Sequence, residues 1–185
     1  MNKKLLARWI TLSILISTGC TNPPKRTALH DFGLAIPAST QQHQTLNKPT
    51  LTIDAPTWLW DNRIRYRLLY SAPTQVRFYG LDLWIASPPE LFEQHLLNAD
   101  SVIKYPLLIR LLDFEQQFDS PKQARVILRF SVDAYSIDHQ HKLDTRLFKL
   151  ELPTKTPDAE GAIAGFSALI QQATIKTQHW IAGLN

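Results

Sequence analysis

Few residues of this 185-residue chain have the types and the spacing that enzyme chemistry needs. The segment Gly165-Phe166-Ser167-Ala168-Leu169 approaches the Gly-x-Ser-x-Gly turn of serine hydrolases, but its second glycine is missing. It also falls in the middle of a predicted helix, whereas the hydrolase nucleophile stands on a sharp strand-to-helix turn. We therefore predict that Gly165, with Gly161 one turn earlier, lets a helix pack closely on a sheet, and that Ser167 is not a nucleophile.

Two closely spaced histidines suggest metal binding at first sight. His139 and His141 alternate beside Asp138, a spacing that could direct two imidazoles toward one ion. Structural and catalytic zinc sites use three or four protein ligands, and the neighbouring sequence supplies no third or fourth. This segment is therefore predicted to be a solvated turn, and we expect no metal.

Three carboxylates, Asp113, Glu115 and Asp119, share strand parity. A general acid–base pair also needs a cleft and perturbed pKa values, and no motif here marks such a pair. The chain also lacks a P-loop and a dinucleotide-binding glycine motif. We expect no catalytic residue, no cofactor and no enzyme activity, with a hydrolase kept only as a remote alternative.

The only cysteine, Cys20, ends a segment that predicts a different chemistry. A basic start, an apolar run at residues 5–16 and small residues at 17–19 precede it, which is the layout of a secretory signal peptide. As a helix, that apolar run would span about 18 Å, against the roughly 30 Å of a bilayer core. A spanning anchor is therefore disfavoured, and residues 1–19 are predicted to be a lipoprotein signal peptide.

The segment Ser17-Thr18-Gly19-Cys20 resembles a bacterial lipobox, in which the cysteine thiol carries diacylglycerol after cleavage. Ser17 departs from the large aliphatic residue usual at its position. A buried thiol, the alternative, does not explain why the sole cysteine stands here. Thr21 replaces the Asp that, among enterobacterial lipoproteins, marks inner-membrane retention, so the resemblance implies a palmitate-type acyl anchor in the outer membrane, facing the periplasm.

Charge and length limit what the rest of the chain can be. The formal net charge is +4, but residues 1–19 hold three of the positive charges, which leaves 17 Lys and Arg against 16 Asp and Glu. A nearly neutral body argues against a nucleic-acid partner. The polar, proline-containing residues 20–27 are predicted to form a lipidated tether, and residues 28–185 a single domain.

Hydrophobic periodicity predicts an α+β fold, with a mostly antiparallel sheet and two helices packed on one of its faces. Ser87, Pro88 and Glu90 have the spacing of a helix start with a capping box. Predicted strands cover residues 28–36, 51–55, 63–70, 76–85, 106–118, 124–136 and 145–152; predicted helices cover 87–98 and 157–182, and 37–49 is predicted to be a loop.

The clearest strand and the longest helix both have a continuous apolar side. Strand 124–136 alternates strictly, and the last helix is expected to have Thr156 as its N-cap and Pro157 as its first residue. The residues expected to face the core are Ala124, Val126, Leu128, Phe130, Val132 and Ala134 on the strand, and Ala159, Ile163, Phe166, Ile170, Ala173, Thr177 and Trp180 on the helix.

Two groups of residues are candidates for a partner interface. Trp58 and Trp60 share parity if their segment is extended, and they suit either core packing or an exposed anchor for a partner. Arg63, Arg65 and Arg67 alternate with apolar residues along one strand. They are either an ordinary solvated strand face or a surface for a carboxylate or a lipid phosphate, since guanidinium groups suit both.

Five segments, in order, resemble the ABC-type transport auxiliary lipoprotein family, the PqiC-like outer-membrane lipoproteins. His30 is a mild departure, because an aromatic residue is commoner there. The segments are H-D-F-G-L at 30–34, A-P-T-W-L-W-D-N-R-I-R-Y-R at 55–67, W-I-A-S-P-P-E-L-F at 84–92, L-R-F-S-V-D-A-Y at 128–135, and T-P-D-A-E-G-A-I-A-G-F-S-A-L-I at 156–170, whose helix ends near Trp180-Ile181.

The resemblance implies a lipoprotein without enzyme activity that works with an MCE-domain periplasmic protein and an inner-membrane ABC complex. Together such components move lipid between the two membranes, and several copies could form a ring. A different expectation stays open beside it, namely a lipid carrier with a cavity between the sheet and the helices.

Overall fold

The structure is a computed structural model that describes residues 26–33, 50–99 and 104–184. The predicted signal peptide 1–19, the lipidation site Cys20, most of the tether and the loop predicted at 37–49 lie outside these ranges.

Seven strands and two helices follow one another along the described residues. The order is β1 (Ala28–His30), β2 (Leu51–Asp54), β3 (Arg63–Leu68), β4 (Ala72–Trp84), α1 (Pro88–Asn98), β5 (Leu107–Ser120), β6 (Gln123–Tyr135), β7 (Lys142–Pro153) and α2 (Ala159–Ala182). A 3₁₀ turn at Thr57–Leu59 precedes β3. The fold is α+β, as periodicity predicts.

All seven strands join one mixed sheet in the order β1-β4-β3-β5-β6-β7, with β2 paired to β5 beside this path. The three longest pairings, β3–β4, β5–β6 and β6–β7, are antiparallel, and the shorter β1–β4, β2–β5 and β3–β5 pairings are parallel. Antiparallel pairs follow from short turns, whereas each parallel pair here needs a longer connection.

Strands β2 and β3 lie along the same edge of β5, one after the other. Strand β2 pairs with residues 107–110 and β3 with residues 116–118. The chain between them, residues 55–62, leaves the sheet and contains the 3₁₀ turn. This excursion brings Trp58 and Asp61 beside β3.

Both helices pack on one face of the sheet, through aromatic side chains. The rings of Phe114 (β5) and Phe166 (α2) are stacked with centroids 4.0 Å apart, and Phe92 (α1) meets Phe130 (β6) edge-on at 5.2 Å. The six inward residues predicted for β6 are all buried. We call the opposite face, on which neither helix packs, the open face.

Gly165 sets how closely α2 approaches the sheet. A Cβ atom placed on Gly165 would lie 2.8 Å from Cγ2 of Val126, which is closer than real Cβ contacts allow. Ser167, two residues further along, donates a hydrogen bond of 2.8 Å to the carbonyl of Phe32. Gly165 therefore has the packing role that the sequence predicts, whereas Gly161 lies against Thr156 and not against the sheet.

The two helix starts differ in how well the sequence predicts them. At α1 the capping box is confirmed, because the Glu90 carboxylate accepts a hydrogen bond of 2.9 Å from the Ser87 amide. At α2 the N-cap is Asp158 and not Thr156, and the helix begins at Ala159. The Asp158 carboxylate accepts from the Gly161 amide at 2.8 Å, while the Thr156 hydroxyl donates to that carboxylate.

Strand β1 is shorter than predicted, since it ends at His30 instead of running through residue 33. A turn follows in which the Asp31 carboxylate accepts from the Gly33 amide, and Gly33 has φ of 79°. The turn places Phe32, which is 2% exposed, in the core beside Trp84. The remainder of the predicted strand, 34–36, lies outside the described residues.

Candidate functional site

The three arginines predicted as a partner surface lie on β3 and point to the open face, but they are not equally exposed. The Arg63 side chain is 50% exposed, that of Arg67 is 23% exposed and that of Arg65 only 8% exposed. The reading of an ordinary solvated face is therefore wrong for Arg65. The excursion at residues 55–62 brings Asp61 against it, a contact that strand alternation alone does not predict.

Each of these arginines is neutralised by a carboxylate of the same chain. Asp61 Oδ2 accepts hydrogen bonds of 2.7 Å from both Arg63 and Arg65. Arg67 makes a bidentate pair with Glu115, at 3.0 and 3.1 Å, and also donates to the Pro73 carbonyl. Bidentate geometry of this kind fixes both side chains.

The pKa of Asp61 reflects this neutralisation. Burial alone would raise that pKa, because it disfavours the charged carboxylate. Hydrogen bonds from Arg63 and Arg65 outweigh the burial and hold the pKa of Asp61 below its usual value. The Arg63 guanidinium also lies over the Phe78 ring, 3.8 Å from its centroid, in cation–π geometry.

The same pattern of pairing continues across β5, β6 and β7 on the open face. Arg129 pairs with Asp113 at 2.6 Å, and Arg125 lies against both Asp119 and Glu151. The three carboxylates that share parity on β5 are thus each bound to a different arginine. Within the described residues they do not form a carboxylate dyad that could share a proton.

Asp133 is the most buried carboxylate on this face, with a side chain 1% exposed. Burial would raise its pKa, but hydrogen bonds from Thr145, Arg110 and Lys142 together lower it to about 2. The pair distances are 2.6 Å to Arg110 and 3.0 Å to Lys142. The open face is therefore a network of internal ion pairs.

Trp58 belongs to the 3₁₀ turn and Trp60 is the residue that follows it, so the condition under which the two rings would share a strand face is not met. Leu59 between them is buried, whereas Trp58 is 60% exposed and Trp60 is 44% exposed. The Trp60 indole donates to the Ala55 carbonyl at 3.0 Å. The structure thus excludes core packing for both rings, and it brings Trp58 but not Trp60 to the shallow cavity of about 480 Å³ that Arg63, Arg65 and Arg67 line.

The histidines predicted to lie in a solvated turn do so. His139 and His141 occupy the connection between β6 and β7 and are exposed, with His139 at φ of 60°. Over the described ranges no cluster of three or more His, Cys, Asp or Glu side chains could hold a metal ion. In the same ranges no helix is long and apolar enough to cross a bilayer.

A second charged surface, which the sequence does not reveal, lies between strand β7 and the C-terminal half of α2. It is a groove of about 760 Å³ with an apolar floor that includes Phe148, Leu150 and Trp180. Arg146, Lys149 and Lys176 line the groove, and we call it the β7 groove. The sequence signal for this groove is the pair of basic residues Arg146 and Lys149 around Phe148. That signal cannot be interpreted without knowing the order of the strands in the sheet.

Comparison with known proteins finds likeness in fold alone. No family model matches the chain, and no curated protein matches it significantly. The crystal structure of a Xanthomonas campestris protein of the DUF330 family is similar, with a TM-score of 0.64, 15% identity, and coverage of 86% of this chain and 87% of that one. The crystal structure of an uncharacterized protein has a TM-score of 0.63 and 14% identity, over 84% of this chain and 99% of that one. The α+β architecture described above is thus one that solved proteins share.

Proposed function

We propose that this protein is an outer-membrane-anchored periplasmic lipoprotein that serves as an accessory and docking component of an MCE-type ABC lipid transport system. We infer the transport system from the order of the five family-like segments, and we infer the membrane anchor from the lipobox at Cys20. Its partners would be an MCE-domain periplasmic protein and the inner-membrane ABC complex. The role needs a surface for docking and no catalytic residue.

The observation that carries the docking role is the exposure of Trp58 and Trp60. Large indole rings contribute strongly to protein interfaces when a partner removes them from water. Here both rings stand on a short turn fixed by the buried Leu59, so they are presented without being needed in the core. The neighbouring arginines of β3 are already paired with Asp61 and Glu115. This pairing favours a structural role for them, in which they hold the turn against β3 and β3 against β5.

The Cys20→Ser variant tests the anchor. We expect a full-length precursor that incorporates no radiolabelled palmitate, because serine has no thiol to carry the diacylglycerol. Processing and labelling equal to those of the wild-type chain would contradict the anchor.

Co-purification from mildly solubilised membranes tests docking. The double variant Trp58→Ala/Trp60→Ala should recover at least tenfold less of the MCE-domain protein than the wild-type chain does. Leu29→Ala is the matched control, since Leu29 is also 60% exposed but lies on β1, and it should recover the wild-type amount. Failure of the wild-type chain to recover any MCE-domain protein would sink the proposal.

A lipid carrier remains the second candidate, and the described residues give it little support between the sheet and the helices. Phe114 and Phe166 are stacked there, and Gly165 brings α2 into contact with Val126. Native mass spectrometry of the chain without residues 1–20 tests it, because a carrier would retain lipid and an adaptor would not.

A further inference from the structure

Strand β7 is a long edge of the sheet. It extends over Lys142–Pro153 and pairs on one side with β6, and among the described strands none pairs with its other side. An edge of this length presents a row of main-chain donors and acceptors that another extended chain can pair with. Natural edges are usually short or covered, so a long uncovered one is a candidate for strand addition.

The groove beside this edge has the apolar floor that alternate side chains of an added strand would need. Phe148 is 8% exposed, whereas Ile175 on α2 is 65% exposed. Leu150 and Trp180 also line it, and the Trp180 indole is held by a hydrogen bond of 3.1 Å to Asp144. In this floor the hydrogen bond to Asp144 fixes Trp180, whereas the exposed Ile175 is available for contact with a partner.

The charges around the groove are not neutralised, in contrast to those of the open face. Arg146, Lys149 and Lys176 have no ion-pair partner within the described part of the chain. The one carboxylate that lines the groove, Asp144, accepts from Trp180. An unpaired basic rim favours an acidic partner, because complementary charges steer and orient association.

We propose that the β7 groove binds an extended acidic and apolar segment of a partner protein, which adds to the sheet as a strand along β7. Its main chain would pair with the free side of β7. Because successive strand residues point to opposite faces, its apolar side chains would cover Phe148 and Leu150 on the helix side and its carboxylates would lie beside Lys149 on the open side. Arg146 and Lys176 flank the apolar row and attract the negative segment. This inference names a contact for the proposed docking role and in that sense rests on it.

Two other occupants fit the same groove less well. A second copy pairing β7 with β7 would bring two basic rims together, and neither residues 1–25 nor residues 34–49 of this chain contain an acidic residue. An anionic lipid would satisfy the cations and the floor, but it has no amide groups to pair with the edge of β7. Both occupants are distinguishable by experiment.

The test uses the purified full chain in non-ionic detergent and fluorescein-labelled nonapeptides, with binding followed by anisotropy. One peptide alternates Glu and Val, the second alternates Lys and Val, and the third is the Glu/Val peptide with N-methyl groups on consecutive central amides, which blocks both of its edges. We expect the Glu/Val peptide to bind at least tenfold more tightly than the other two, because only it supplies both the charge and the strand hydrogen bonds. Equal binding of the N-methylated peptide would overturn strand addition.

Charge-reversal variants locate the binding. The triple variant Arg146→Glu/Lys149→Glu/Lys176→Glu should lose at least tenfold in affinity for the Glu/Val peptide and should prefer the Lys/Val peptide. The matched control, with the same net change in charge away from the groove, reverses Lys104, Lys122 and Lys155 and should stay within twofold of the wild-type affinity. Circular dichroism checks that both variants are folded.

Three outcomes contradict the proposal. Absence of saturable binding by the Glu/Val peptide excludes the site, and a larger loss in the control variant places the binding elsewhere. Displacement of the peptide by phosphatidylglycerol vesicles, but not by phosphatidylcholine vesicles, would assign the groove to an anionic lipid. The docking role itself is judged separately, because peptide binding without recovery of an MCE-domain protein would refute that role and leave the groove intact.

Discussion

The open face and the β7 groove both carry cationic side chains, and they differ in what those charges meet. On the open face, Arg65 and Arg67 are each held by a carboxylate on a neighbouring part of the same chain. In the β7 groove, Arg146 and Lys176 stand beside apolar side chains, and neither has a carboxylate partner among the residues that the structure describes. A charge that is already paired contributes to the fold, whereas an unpaired one is available to another molecule.

This difference changes the interpretation of the arginines on β3. Taken from the sequence alone, Arg63, Arg65 and Arg67 are candidates for binding a carboxylate or a lipid phosphate. In the structure the carboxylates are supplied by Asp61 and Glu115. The arginines are therefore better understood as holding the excursion at residues 55–62 against the sheet, where it presents Trp58 and Trp60.

The largest effect should come from removing the charge of Asp61. Asp61→Asn leaves Arg65, which is 8% exposed, without its counter-ion, so we expect the free energy of unfolding to fall by about 2–3 kcal/mol. Urea denaturation followed by tryptophan fluorescence measures it.

The matched control for that change is Arg146→Gln in the β7 groove. Since Arg146 makes no ion pair with another described residue, the free energy of unfolding should change by less than about 0.5 kcal/mol. Equal losses in the two variants would remove the distinction between the two surfaces.

A somewhat smaller effect should appear in the acid stability of the open face. The pKa of Asp133 is about 2 in the folded chain, against about 3.9 for an unfolded chain, so its contribution is fully present above about pH 4. That contribution, about 2 kcal/mol, is lost as the pH falls from about 4 toward 2.

Comparison of the wild-type chain with the Asp133→Asn variant isolates the contribution of Asp133 to the free energy of unfolding. The difference in the free energy of unfolding between the two should be largest at pH 6 and should shrink steadily between pH 4 and pH 2. A difference that is independent of pH would show that the ion pairs of Asp133 with Arg110 and Lys142 do not stabilise the fold.

The elements that the sequence predicts well are those whose pattern depends on near neighbours. Alternation along β6 places Val126 and Phe130 in the core, and the Ser87–Glu90 spacing defines the start of α1. The start of α2 is misplaced by two residues, because both Thr156 and Asp158 are good caps. The choice depends on Asp158 reaching the Gly161 amide.

The candidate site is predicted less well because it depends on contacts between distant segments. Glu115 pairs with Arg67 only because β3 lies parallel to β5 in a particular register. The sequence leaves core packing and an exposed anchor both open for Trp58 and Trp60, and the 3₁₀ turn with buried Leu59 decides for exposure. The β7 groove requires knowing that β7 is the last strand of the sheet, which hydrophobic periodicity does not report.

Hydrogen–deuterium exchange of the full chain, with and without the Glu/Val nonapeptide, tests most directly the claim that the β7 groove accepts an added strand. Strand addition should slow exchange of the β7 amides over Lys142–Pro153 and leave the amides of β3 and β4 unchanged. Protection that appears on β3 and β4 instead, or on no strand at saturating peptide, would contradict the account.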